Sequence, residues 1–394
     1  MMNEKIVQNE FVKFVKELYP NEYPIPLHAP RFSAKEKELV LDTLDSTYVS
    51  TVGEYVGKFE NRIALQTSAK YVVATNTGTA ALHTALLVCG VTLHDEVITQ
   101  SLTFVATCNA IRYCGASPVF VDISNKTLGM SPESLSDFLA EHAEVRDDGL
   151  CWNRTTGNII RACVPMHNLG HPVEVLEIKE ICDSYQLLVI EDAAESLGST
   201  SQGLHTGLVG RVGILSFNGN KIITAGGGGA LITSDENLWA RAKHLTTTAK
   251  INHPWLFLHD EVGFNYRMPN INAALGYAQI EKLTQYIKCK RRTAARYSEW
   301  MGAHDVEFIA EPIGARSNYW LNAVILSNVE ARDSFLNFTN DNGVMTRPMW
   351  TPMHTLPMFE KCVRASLDST ENIEARLVCL PSSVKTEWLI EEFV

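Results

Sequence analysis

From Tyr71 to Asp192 the chain alternates short apolar runs with helical patterns, and few folds accept that order. YVVATN at 71–76 precedes TGTAALHTALLVCG, whose apolar spacing predicts a helix ending near Gly90. EVITQ at 96–100 precedes FVATCNAIRYCG, and PVFVD at 118–122 follows. After a helical stretch near 132–143 come IIRACVPM, the helix EVLEIKEICDSY and LLVIED. Short apolar runs bounded by turn residues read as strands buried on both faces. Strands alternating with helices predict an α/β fold, a mainly parallel sheet sandwiched by helices. Residues 144–160 break the pattern, and TTG between two runs predicts a small hairpin.

Upstream, Phe11, Val12, Phe14, Val15 and Leu18 recur at helical spacing, which predicts an amphipathic leader helix over 8–18. Pro20, Pro24, Pro26 and Pro30 impose an extended segment after it. Ser33 is placed to cap a second helix, and Tyr55, Phe59, Ile63 and Leu65 mark a third over 54–67. Past Asp235 the chain turns helical, with one long helix from about Asn270, and the remainder reads as a smaller α+β region. The expected organisation is a leader helix and extended segment at 1–30, a large domain at 31–265 and a small C-terminal domain at 266–394.

With 394 residues, 45% of them hydrophobic and 20% charged, the chain can bury a large core and leaves little room for long disorder. A net charge of −11 argues against a nucleic-acid surface. It does not exclude an anionic substrate, since a few backbone amides suffice for a local phosphate site. The nine cysteines are odd in number and form no CxxC, as expected of reduced thiols. MMNEKIVQNEFVKFVKEL lacks a signal peptide's apolar core, and no apolar run approaches the ~18 residues of a membrane span. The expected location is cytoplasmic, with neither membrane nor nucleic acid as partner.

Candidate chemistry gathers between Leu187 and Thr233. One apolar run ends in Glu191-Asp192-Ala193-Ala194; a second, Val212–Phe217, feeds a polar loop holding Lys221; then come Gly226–Gly229 and a third run, Ala230–Thr233. Ligands of such sheets collect outside the carboxyl ends of the strands, where both an acid and the lysine fall. An acid and a lysine so placed are what pyridoxal 5'-phosphate (PLP) requires. The lysine holds the cofactor aldehyde as a Schiff base, and an aspartate keeps the pyridine nitrogen protonated. Once freed, the same amine can move the proton between substrate and cofactor. Strand alternation lets only one of Glu191 and Asp192 face the ligand. Between a predicted strand and helix, Asn76-Thr77-Gly78-Thr79 offers free amides and a helix dipole to a phosphate, with Gly78 for close approach and the Thr79 hydroxyl as a further donor. The glycine run precedes a strand rather than a helix, so it is no dinucleotide fingerprint; it would let the lysine loop pass close to other backbone. His28, His167, His171 and His253 form no metal-ligand pattern, and no metal is expected.

VIEDAAESLGS followed by SFNGNK and a glycine run resembles the DegT/StrS family of PLP-dependent sugar aminotransferases, and the likeness extends from IPLHAPRF at Ile25 to HTLPMF at His354. It is most similar to members that aminate nucleotide-linked 4-keto sugars on the way to legionaminic-acid-type or related bacterial glycans. The resemblance implies PLP fold type I, the aspartate-aminotransferase architecture. It assigns the pyridine nitrogen to Asp192 and the aldehyde to Lys221, and it adds Ser216 for the phosphate and Phe104 for stacking on the ring. It implies that Asn265 reaches the phosphate of a neighbouring subunit, which makes the unit a homodimer with shared sites. Arg267 and His354 lie in segments that contact the sugar nucleotide in relatives. Glu195 departs from the His or Gln of many members near the ring hydroxyl, and its contact is open. The implied reaction moves an amino group from an amino acid, usually glutamate, to a nucleotide-activated keto sugar. A sugar dehydratase of the same fold would carry histidine in place of Lys221, and a non-catalytic sensor would have no need of Lys221, Asp192 and the phosphate residues together.

Overall fold

The computed structural model describes residues 2–385 and 387–388. Three helices lead in: α1 (Met2–Leu18), α2 (Ala34–Asp45) and α3 (Glu54–Thr67). The predicted alternation follows as β1 (Tyr71–Thr75), α4 (Gly78–Val88), β2 (Glu96–Gln100), α5 (Val105–Tyr113), β3 (Ser117–Val121) and α6 (Pro132–His142). It continues through β4 (Ala143–Val145), β5 (Cys151–Asn153), β6 (Ile159–Val164), α7 (Val175–Ser184) and β7 (Leu188–Asp192). The short strands β8 (Thr200–Ser201) and β9 (Leu204–His205) precede β10 (Val212–Ser216), β11 (Gly229–Thr233) and α8 (Glu236–Thr246). The hairpin β12 (Lys250–Ile251) and β13 (Leu258–His259) leads to α9 (Asn270–Ile280) and α10 (Leu283–Ala303). Last come β14 (Glu307–Phe308), β15 (Ala315–Arg316), β16 (Asn322–Ile325), α11 (Val329–Asp341), β17 (Arg347–Pro348), α12 (Asp368–Glu374) and β18 (Leu377–Leu380).

The main sheet runs β1-β11-β10-β7-β6-β2-β3. Its pairs are parallel except those of β11, which is antiparallel to β1 and β10. All strands but β11 therefore deliver their carboxyl ends to one edge. Helices cover both faces, as continuous apolar strands require. On one face Leu82, Leu86 and Ile111 pack on Val97, Val164 and Ile190. On the other, Leu135, Phe138 and Ile178 pack on Ile98, Val119 and Val189. The TTG stretch turns β5 into β6, an antiparallel pair.

Ser33 caps α2 in a reciprocal box: its own N–H donates to Glu36 Oε2 at 2.8 Å. Glu36 Oε1 also accepts from Gln279 Nε2 at 2.6 Å and Lys282 Nζ at 2.5 Å. Those two residues stand where the expected long helix breaks into α9 and α10, at Glu281-Lys282. No Gly or Pro marks that break; tertiary contacts to α2 hold it. A second, antiparallel sheet, β14-β16-β18-β17, follows. Helix α1 and the residue after it are packed against it through Phe11, Val15 and Tyr19, which share a cluster with Tyr297, Val324, Phe335 and Leu380. All nine cysteines are free thiols. No helix among the described residues is long and apolar enough to cross a membrane.

Candidate active site

The carboxyl edge of the sheet opens into a cavity of about 300 Å³. Gly78, Thr79, Phe104, Asp192, Glu195, Ser216 and Lys221 all line it. They come from the ends of β1, β7 and β10 and from the start of α5, brought together by strand register: Asp192 pairs with Ile214, two residues before Ser216.

Glu191 and Asp192 face opposite ways. Glu191 is fully buried and accepts from the amides of Gly207, Val209 and Gly210 at 2.8, 2.7 and 2.6 Å and from His167 Nε2 at 3.0 Å. Burial pushes its carboxyl up, but the His167 contact and these amides outweigh it and hold the group below the usual range. Asp192 turns to the cavity. Its Oδ2 accepts from Thr107 Oγ1 at 2.8 Å and its Oδ1 from the Ala194 amide at 3.1 Å. Burial dominates here and raises its carboxyl above the usual range. A buried carboxylate held only by neutral donors favours a cationic partner in the cavity.

Lys221 follows β10 in a loop closed by its N–H donating to Asn218 O at 3.0 Å. Nζ donates to Glu195 Oε1 at 3.0 Å and lies 4.1 Å from the centre of the Trp320 ring. Trp320 Nε1 in turn donates to Asn220 O at 2.7 Å, which fixes the loop. Glu195 Oε2 accepts the Leu169 amide at 2.9 Å.

The first turn of α4 stands on the other side. Thr77 caps α4 through Oγ1, which accepts from the Ala80 amide at 3.0 Å. The amides of Gly78 and Thr79 belong to the first turn, where a helix offers no partner of its own. A Cβ on Gly78 would lie 3.1 Å from Ser216 Cβ and would crowd this cup. Gly229 does the same from β11, where a Cβ would come within 2.5 Å of the Gly78 nitrogen. The glycine run thus lets the strand after the lysine loop lie against the cup. Phe104, 46% exposed despite its size, presents a ring beside the cavity, with Trp350 edge-on at 5.9 Å.

Asn265, Arg267 and His354 do not line the cavity of a single chain. Asn265 is exposed, and its carbonyl accepts from Asn76 Nδ2 at 3.4 Å. Arg267 bridges Thr75 through its backbone, and its Nε is buried with no hydrogen-bond partner among the described residues. His354 is buried, and its Nδ1 accepts from Ser101 Oγ at 2.7 Å. Among the described residues the one His–acid group spaced for a metal is His244, Asp260 and Glu261, outside the cavity lining, and Glu261 already pairs with Arg241. Thr107, Trp320 and Trp350 line the cavity without having been singled out from the sequence. Thr107 had a signal, one helical turn beyond Phe104; the two tryptophans had none.

The residues present fit PLP: first-turn amides and two hydroxyls for a phosphate, an acid seeking a cation, an amine within the cavity and an exposed aromatic ring. A fold and site of this kind define a PLP-dependent aminotransferase of fold type I. The sequence pattern of the DegT/DnrJ/EryC1/StrS aminotransferase family matches residues 30–388, and the chain belongs to that family. It is 37% identical over 337 residues to a GDP-perosamine synthase of Escherichia coli O157:H7, covering 86% of this chain and 87% of that one. It is 36% identical over 364 residues to the putative pyridoxal phosphate-dependent aminotransferase EpsN of Bacillus subtilis (strain 168), covering 91% and 90%. The crystal structure of DesI in the presence of its TDP-sugar product superposes with a TM-score of 0.79 at 28% identity, over 91% of this chain and 88% of that one. The chain is a PLP-dependent sugar aminotransferase.

Proposed function

We propose that this enzyme moves an amino group from an amino acid, glutamate by preference, to the keto carbon of a nucleotide-linked 4-keto sugar, as a cytoplasmic step in bacterial-type surface glycan biosynthesis. The observation that carries the reading is the convergence of Lys221, Asp192 and the first turn of α4 on one cavity. The sugar nucleotide is supported by the names of the relatives, a GDP-perosamine synthase and an enzyme with a TDP-sugar product.

PLP, when bound, supplies an electron sink for a carbanion next to nitrogen. The Gly78 and Thr79 amides, with the Thr79 and Ser216 hydroxyls, would bind its phosphate. Asp192 would hold a proton on the ring nitrogen, and that cation would relieve the cost of its own burial. Phe104 would stack on the ring. Lys221 Nζ would bind the aldehyde and, once displaced by the substrate's amine, take and return the proton at the substrate carbon. Because one lysine serves amino donor and keto sugar alike, the two use the site in turn.

The unit is a homodimer in this reading, with Asn265 reaching the phosphate of the partner's site. Support comes from the exposure of Asn265 and from the apolar stretch before it, where Trp255, Phe257 and Val262 are 77%, 83% and 83% exposed. Borohydride reduction of the purified enzyme tests the centre of the reading: the cofactor should be fixed to the peptide that holds Lys221. A label on another lysine, or full turnover by Lys221→Ala, would sink it.

A further inference from the structure

A buried carboxylate, Glu195, holds the Lys221 amine. The Glu195 side chain is 1% exposed and that of Lys221 11%, and 3.0 Å separates Oε1 from Nζ. The other carboxylate oxygen is tied to the Leu169 amide. Leu169 has φ 58, a left-handed conformation that few L residues adopt. Asn168 pins it there by donating from Nδ2 to Leu102 O and Leu128 O at 2.8 and 2.7 Å. The backbone therefore fixes one oxygen of Glu195 and leaves the other to exchange a proton with Nζ.

Among the described residues, Lys221 is the cation that acts most strongly on Glu195. Asp192 of β7 is negative and repels it. On β18, burial and then Glu195 itself push the Cys379 thiol up to about 12, so it stays protonated. His28, in the extended segment before α2, is kept neutral by burial and then by the positive charges of Lys290, Arg31 and Lys221. Trp320 offers its ring face to Nζ.

We infer that Glu195 is the base that takes a proton from Lys221 Nζ and so frees the amine to attack the cofactor aldehyde at neutral pH. The inference rests on the reading of Lys221 as the attachment residue. An unassisted lysine, with a pKa near 10.4, is neutral in only ~0.1% of molecules at pH 7.4. Inside the protein both charges of the pair lose their hydration, which narrows the gap between ion pair and neutral pair. Burial does raise the Glu195 carboxyl in spite of the lysine beside it. The step balances. Nζ forms a bond to the aldehyde carbon and gives two of its three protons to the departing oxygen, lost as water, one of them by way of Glu195. Nζ keeps the third, and Glu195 ends as the carboxylate it began as.

The test is capture of added pyridoxal phosphate by cofactor-free protein, followed by absorbance in a stopped-flow instrument from pH 5.5 to 9. Glu195→Gln and Glu195→His are compared with the native chain. Rate ratios at each pH cancel the ionisations of the added cofactor. The native-to-Gln ratio is expected to fall about tenfold per pH unit between 7 and 9, as an unassisted amine gains its neutral form. Histidine, also a base, should restore capture at pH 7 and lose it below about 6.5, where the imidazole is protonated. If the Gln variant does not fold, that acid-side loss in the His variant alone decides. A ratio constant with pH marks a structural role and overturns the inference. So does faster capture by Glu195→Gln at pH 7, which would mean that Glu195 holds the lysine charged. A Lys221→Ala chain that still captures cofactor at the native rate would instead overturn the assignment of the lysine.

Discussion

Replacing Glu191 and Asp192 each by its amide should affect stability differently, although the two are adjacent on β7. Glu191 accepts two donors on each oxygen: Val209 and Gly210 amides on Oε1, and the Gly207 amide and His167 Nε2 on Oε2. His167 cannot adapt, because its Nδ1 accepts from the Val173 amide at 3.1 Å and its hydrogen therefore sits on Nε2. The glutamine of Glu191→Gln has one oxygen, so its NH2 meets two donors whichever way it turns. Two hydrogen bonds to a charged acceptor vanish and leave buried donors unpaired, at about 1.5–3 kcal/mol each, so the variant should lose about 3–6 kcal/mol. Asp192→Asn faces only two donors, one a hydroxyl that can rotate, and it removes a buried charge; its stability should be unchanged or higher. Urea unfolding of the cofactor-free chains, followed by tryptophan fluorescence, measures both. The sign with pH also differs. The folded pKa of Glu191 lies below its unfolded value, so its contribution is complete above the unfolded value of about 4.3 and lost as pH falls through the folded one. The gap between native and Glu191→Gln should accordingly be widest near pH 7 and close on acidification. The folded pKa of Asp192 is raised, so any gain from Asp192→Asn belongs to the pH range above that pKa. Equal losses from the two substitutions, or none from Glu191→Gln, would refute the assignment of faces.

The same Asp192→Asn chain should keep its cofactor yet slow both half-reactions in single-turnover measurements; unchanged rates would move the role elsewhere. Gly78→Ala places a Cβ 3.1 Å from Ser216 Cβ. With the loss of about one phosphate hydrogen bond, its cofactor Kd should rise roughly five- to tenfold while cofactor-free stability holds; an unchanged Kd would remove the phosphate from that cup. Mixing inactive Lys221→Ala with inactive Asn265→Ala should restore activity, since one site of the mixed dimer then carries neither lesion. Silence from dimers shown independently to exchange subunits would mean that each site is built from one chain.

The alternation and the strands were legible because the main-sheet strands are buried on both faces: all five residues of β2, β10 and β11 are inside, and their polar residues fall at the strand ends. Lys221, Asp192 and Gly78 were legible because a loop after a strand in such a sheet can lead almost nowhere but its carboxyl edge. The break between α9 and α10 was not, because a carboxylate on α2 holds it rather than any local breaker. Trp320 and Trp350 were invisible for a related reason. Each reaches the cavity from about 100 residues or more beyond Lys221, and no local pattern distinguishes them from core tryptophans. The partner of Glu195 depended on Leu169, whose left-handed backbone a leucine does not advertise.

Helix α1 has a consequence in time. Phe11, Val15 and Tyr19 are buried in a cluster with residues far along the chain, Tyr297, Val324 and Leu380 among them. At roughly 5–20 residues per second, Phe11 waits about 15–65 s between its own synthesis and that of Phe335, the last of its ring partners. The sheet from β1 to β11 can assemble meanwhile from segments already made. Newly made chains would therefore expose α1 to chaperones for that interval, and closing it over the second sheet would be a late event of folding.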